Sequence, residues 1–113
     1  MADQFNFYGQ TTFVNRPAKS VVSDFQNRYA RLPAADDLSE LLRLVLTSAE
    51  LGSDKRERAA RELHGVGAEL EQPGRDDGRV RKLLESVQDI VSKAADIALP
   101  ATSIVSRIMD LVG

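Results

Sequence analysis

The chain has 113 residues, 42% hydrophobic and 28% charged, with a formal charge of −2 and no cysteine. That length predicts one domain with a modest core, and the slightly acidic balance argues against a broadly basic nucleic-acid binder. Without cysteine, disulfides and thiolate metal sites are excluded. The opening Met-Ala-Asp-Gln lacks the basic-then-apolar pattern of a leader peptide. No apolar run approaches the ~20 residues that span a bilayer. The absence of cysteine leaves the compartment unconstrained, with the cytoplasm as the default expectation. Arginine far outnumbers lysine, and Ala, Val, Leu and Asp are abundant, a bias associated with GC-rich bacterial genomes.

Residues 4–15, Gln-Phe-Asn-Phe-Tyr-Gly-Gln-Thr-Thr-Phe-Val-Asn, form the one β-like stretch. Aromatic and β-branched residues flank Gly9-Gln10, and glycine in first position suits a two-residue type II′ turn. In that register Tyr8 and Phe13 share one face, and Phe5, Phe7 and Val14 the other. A hairpin or a single extended arm over 1–16 is therefore expected, ahead of a helical bundle over 17–113. A lone two-stranded ribbon is marginal in water, so this segment should lie on the helices or pair with a partner's edge.

Pro17 suits a first helical turn. Val22, Phe25 and Tyr29 mark helix one, which should end before Pro33. Asp37 with Glu40 three residues on reads as a capping box opening helix two. That helix carries Leu38, Leu41, Leu42 and Val45 on one stripe and Leu44 and Leu46 outside it, as expected of the central helix. Gly52 should stop it. Helix three opens at Ser53-Asp54, with Glu57 again in capping position. It carries Ala59, Ala60, Leu63, Val66 and Leu70 on its stripe and ends at Gln72-Pro73-Gly74.

The stretch from Val80 to Val112 repeats in sevens. Val80, Val87, Ala94, Ala101 and Ile108 make one row, and Leu83, Ile90, Ile97, Ile104 and Leu111 a second. A third holds Leu84, Val91, Ala98, Val105 and Val112. The rows stand at i, i+3 and i+4, one apolar face of a helix. As a straight helix this stretch would span roughly 50 Å at ~1.5 Å per residue. Pro100 lies inside it and predicts a kink or a break there. The phase is unchanged across it, so Ile90, Ile97, Ile104 and Leu111 should be buried on the same side. The fold class expected is mainly α: a bundle of four helices, or five if the last one breaks, with the short N-terminal hairpin or arm.

Chemistry is sparse. His64 is the single histidine, beside Glu62, and reads as a boundary residue; two-histidine metal motifs are impossible. Gly65 and Gly67 lack the strand, third glycine or Gly-Lys-Ser/Thr of a phosphate loop. Gly67 falls in phase with Ala60 on the packed face, where a missing side chain admits a close crossing. Asp36-Asp37 and Asp76-Asp77 stand at predicted helix starts. The basic residues Lys55, Arg56, Arg58 and Arg61 read as a solvated face with pairs at four-residue spacing, Glu57–Arg61 and Arg58–Glu62, joined further on by Arg81–Glu85 and Asp89–Lys93. No catalytic, cofactor or metal residue is assigned.

The opening Asn6-Phe7-Tyr8-Gly9, followed by Phe13-Val14-Asn15-Arg16-Pro17 and helices, resembles small effector-associated modules of bacterial conflict and signalling systems. That resemblance implies a helical adaptor that recruits or assembles proteins through like-to-like contacts. The expected function is a non-enzymatic interaction or self-assembly module. It would use the stripe 80–112 and the N-terminal β edge, with Tyr8, Phe13, Ile104, Ile108 and Leu111 as contact residues and a second copy or another protein as partner. The alternative is a membrane-associating protein acting through the amphipathic segment 97–113. Against it, the polar face is not basic, carrying Asp96, Arg107 and Asp110, whereas interfacial helices favour lysine and arginine.

Overall fold

In a computed structural model, which describes residues 17–112, the chain forms five helices. They are α1 (Ala18–Arg28), α2 (Ala35–Thr47), α3 (Ser53–Leu70), α4 (Asp77–Ser92) and α5 (Ala98–Val112). The expected hairpin or arm over 1–16 lies outside the described residues. A radius of gyration of 13.6 Å is close to the ~13 Å of a compact chain this size.

The core is built around α2. Leu38, Leu41, Leu42 and Val45 are fully buried, and the helix packs against α1, α3 and α5. Its extra leucines, Leu44 and Leu46, lie partly buried against the same cluster, which gives the helix apolar contact around most of its girth. The central position expected from its composition is what the fold shows.

Its ends differ from expectation. The helix begins at Ala35, capped by no side chain; Asp37 therefore lies inside the first turn and forms no capping box, and Glu40 pairs with Arg43. The two first-turn aspartates reach other helices. Gln26 of α1 donates to Asp36 at 3.3 Å, and Asp37 pairs with Arg107 of α5 at 3.1 Å. At the other end α2 stops at Thr47, before Gly52, as Ser48 turns to extended backbone. The capping box at α3 is also absent, since Gly52 precedes that helix without a side-chain bond. Asp76 does cap α4, accepting from the Arg79 amide at 3.2 Å.

The sevenfold stretch makes two helices, and the break falls at Lys93–Ile97, one turn before Pro100. Proline removes its own amide and its ring collides with the carbonyl four residues earlier, here that of Asp96. Helix cannot run through 96–100, yet Pro100 itself fits the first turn of α5, where its amide would lack a helical partner. Short bonds close the turn, Ala94 N–H to the Val91 carbonyl and Ile97 N–H to the Ala94 carbonyl, each at 3.0 Å. Ala94 and Ile97 are buried within it. The turn returns α5 to pack against α4 and α2.

The phase of the stripe survives the reversal. Ile90, Ile97 and Ile104 are buried, as are Val87, Ala101, Val105 and Ile108. Leu111 is the exception and corrects the expectation of a fully buried row: it is 54% exposed. A seven-residue step drifts ~20° on a straight helix, and Leu111 sits in the last turn of α5, at the rim where the core runs out.

Asp96 ties this turn to the loop between α2 and α3. It accepts from Ser48 Oγ and from the Ala49 amide, both at 2.8 Å. Arg56 secures the same loop by donating to the carbonyls of Ser48 at 3.1 Å and Leu51 at 2.9 Å. Ion pairs form at Glu57–Arg61, Arg58–Glu62 and Asp89–Lys93, which accounts for most of the predicted face; the cationic partners are exposed and Glu57 and Glu62 half-buried, and each pair should contribute little.

Truncating α2 tests its central place. Leu41→Ala and Leu42→Ala should each cost about 2–5 kcal/mol, as buried leucine deletions do, measured by urea denaturation.

Candidate functional site

Two places on the bundle combine chemistry-bearing or exposed apolar groups. The first is an aromatic knot between α1 and α3. Phe25 projects from α1 and Tyr29 from the residue that caps its end, with ring centroids 4.8 Å apart, and His64 of α3 meets the Phe25 ring edge-on at 4.8 Å. The Tyr29 hydroxyl donates to the His64 carbonyl at 3.3 Å and lies 3.4 Å from Nδ1. Arg28 lies 4.9 Å from the centre of the Tyr29 ring and pairs with Glu71 at 2.9 Å.

Gly67 explains how the tyrosine fits. A Cβ there would meet Tyr29 ring carbons at 2.9 Å, closer than side chains tolerate, so the ring lies directly on bare backbone. This is the close crossing that its phase with Ala60 predicts, with a tyrosine as the crossing element.

The knot is a packing device. Burial, with the Arg28 charge nearby, holds the His64 imidazole below its ordinary pKa, while burial pushes the Tyr29 hydroxyl up. A neutral imidazole wedged among rings favours the folded state only while it stays unprotonated.

The second place is an apolar cleft of about 170 Å³ where the turn after α1 meets the end of α5. Leu32 and Pro33 come from that turn, Leu70 from the last residue of α3, Arg75 from the α3–α4 loop, and Leu111 and Val112 from α5. Leu111 stands exposed on its rim. Arg75 of its wall pairs with Asp77 at 3.0 Å, and two further pairs lie in adjoining grooves, Arg107–Asp37 at 3.1 Å beside Leu111 and Arg28–Glu71 at 2.9 Å beside Leu32 and Leu70. An apolar centre within a polar rim is the anatomy of a protein–protein contact patch.

The predicted contact residues are distributed unevenly about this patch. Leu111 belongs to it. Ile104 and Ile108 are buried in the chain's own core and present no surface in this fold. Tyr8 and Phe13 lie outside the described residues. Leu32, Pro33, Leu70 and Arg75 were not legible as a group; they stand in two connections between helices and at the end of α3, and only the fold brings these places together. Nor was the exposure of Leu99 legible, at 85% in the first turn of α5.

Among the described residues, no helix is long and apolar enough to cross a membrane. None of them form a group of three or more His, Asp or Glu able to hold a metal ion. The apolar face of segment 97–113 is turned into the core through Ala101, Ile104, Val105 and Ile108.

The depressed His64 pKa fixes a sign for the pH dependence. The unfolded chain takes up the proton near pH 6.5 and the folded chain resists it, so stability is complete above that pH and falls as pH drops below it. Glu40 and Asp96, whose pKa values are lowered in the fold, lose their contribution only below about pH 4.5. Denaturation midpoints should therefore decline from pH 7 to pH 5 in the native chain and stay nearly level in His64→Gln.

Comparison with protein-family models, with curated proteins and with solved structures finds no match to this chain.

Proposed function

We propose that this chain is a non-enzymatic interaction module that associates with a second copy of itself, acting in the cytoplasm as an adaptor of the kind its opening residues resemble. One observation carries the reading: an exposed leucine, Leu111, rims an apolar cleft with charged pairs in the grooves beside it. Exposed leucines scattered singly are ordinary, whereas one placed beside a concave apolar surface offers a second molecule both a knob and a hole. The stripe 80–112 contributes by building the core that presents this patch, and its last apolar residues, Leu111 and Val112, reach the patch itself.

A symmetric pair is the simplest assembly, since closed dimers use the same patch on both partners. Segment 97–113 supports this reading better than the membrane alternative. To enter a lipid interface α5 would have to leave the bundle and uncover Ile104, Val105 and Ile108, which are buried.

Light scattering over a micromolar concentration series tests the proposal. The native chain should dimerise, and Leu111→Asp should raise the dissociation constant at least tenfold while leaving the urea midpoint nearly unchanged, because the residue is exposed. A native chain that stays monomeric throughout, or one that floats with liposomes through α5, would overturn it.

A further inference from the structure

We infer that the cleft at Leu111 receives an aromatic side chain from residues 5–8 of the second copy, so that the two copies exchange N-terminal segments. The inference rests on the self-association proposed above and names the element that makes the contact.

Size comes first. At about 170 Å³ the cleft is smaller than the roughly 300–1,000 Å³ typical of small-molecule sites, and it is lined by leucine, proline, alanine and valine, with Arg75 as its one charged residue. A single large apolar side chain suits it. Aromatic anchors seated in such pockets dominate protein interfaces.

Composition narrows the donor. The chain has four phenylalanines, two tyrosines and no tryptophan. Phe25 and Tyr29 are buried in the knot against α3. The other four, Phe5, Phe7, Tyr8 and Phe13, all stand within residues 1–16, and three of them fall within four positions. Residues 5–8 are thus the densest apolar anchor the chain can offer to another surface.

Reach and surface decide between the chain's own cleft and its partner's. The N-terminal segment joins the bundle at Pro17, at the start of α1, whereas the cleft lies beyond its other end, at Leu32 and Pro33. Ten residues of extended chain span at most ~35 Å and α1 is ~16 Å long, so Phe7 has the length to return. The return path, however, follows α1, whose outer face is polar: Lys19, Ser20, Ser23, Asp24, Asn27 and Arg28 are exposed. That face gives Phe13 and Val14 little apolar surface to lie on, Ala18 and Val22 being half-buried. Exchange with a second copy frees the segment from that path and makes two equivalent contacts in one closed pair.

A mixing experiment tests the exchange. One variant, Phe7→Ser with Tyr8→Ser, keeps the cleft and loses the anchor; the other, Leu111→Asp, keeps the anchor and damages the cleft. At a concentration where the native chain is dimeric, light scattering should show each variant monomeric alone. Their equimolar mixture should recover a heterodimer at least tenfold tighter than either variant's self-association, because it retains one intact contact of the two. Circular dichroism melts matching the native chain establish that both variants fold. As an independent readout, Tyr8→Cys mixed with Leu111→Cys should form an intermolecular disulfide in this otherwise cysteine-free chain, and Tyr8→Cys mixed with Leu99→Cys should not. If both variants lose association but the mixture recovers none, the segment does not bridge copies and the inference fails. If neither variant weakens the native dimer, this contact is wrong while self-association stands. A native chain that never dimerises removes both.

Discussion

The turn at Lys93–Ile97 is the constraint on which the rest of the structure depends, because it converts an apolar stripe roughly 50 Å long into two faces of one core. Pro100 causes it at one turn's remove. Its ring excludes helix at the Asp96 carbonyl, and the chain reverses before the proline is reached. Once α5 turns back, Ile104, Val105 and Ile108 fill the core between α2 and α4, whose Val80, Leu84 and Val87 are buried there. An unbroken helix would have left half of that stripe to water or to another chain.

The reversal has to be held in place, and polar groups do this at the loops. Asp96 is drawn down in pKa despite some desolvation, because the Ser48 hydroxyl and loop amides donate to it. Arg107 of α5 pairs with Asp37 at the start of α2. Arg56 grips two carbonyls of the loop that Asp96 also binds. Together these contacts fix the two loops and α5 relative to α2, and they leave the last turn of α5 beside Leu32 and Leu70. The exposed position of Leu111 is thus a consequence of where the turn falls, and the proposed partner surface is inherited from the same constraint.

Much of this was legible in the residues. Three-to-four periodicity located α2, α3 and both halves of the stripe, since burial of one helix face imposes it. The phase of Gly67 with Ala60 revealed a close crossing, because only a missing Cβ fits there. The partner of that crossing was not legible: nothing local to Tyr29 says which helix its ring will meet. Capping patterns misled at Asp37 and Asp54, because both helices start ahead of those aspartates, at Ala35 and Ser53, and tertiary packing rather than the local pattern sets those starts. The cleft was invisible for a similar reason. Leu32, Leu70 and Leu111 are separated by about forty residues each in sequence, and their proximity is a property of the folded ends alone.

The central claim, that the sevenfold stripe folds back on itself within one chain, is open to a direct distance measurement. The chain contains no cysteine, so spin labels can be placed at Glu85→Cys and Asp110→Cys, both exposed. A continuous helix would separate those positions by about 37 Å. In the folded chain Glu85 borders the same surface groove as Met109, and pulsed dipolar spectroscopy of labelled chain diluted into unlabelled chain should give a single distance well under that value. A distribution centred near the continuous-helix separation would contradict the account.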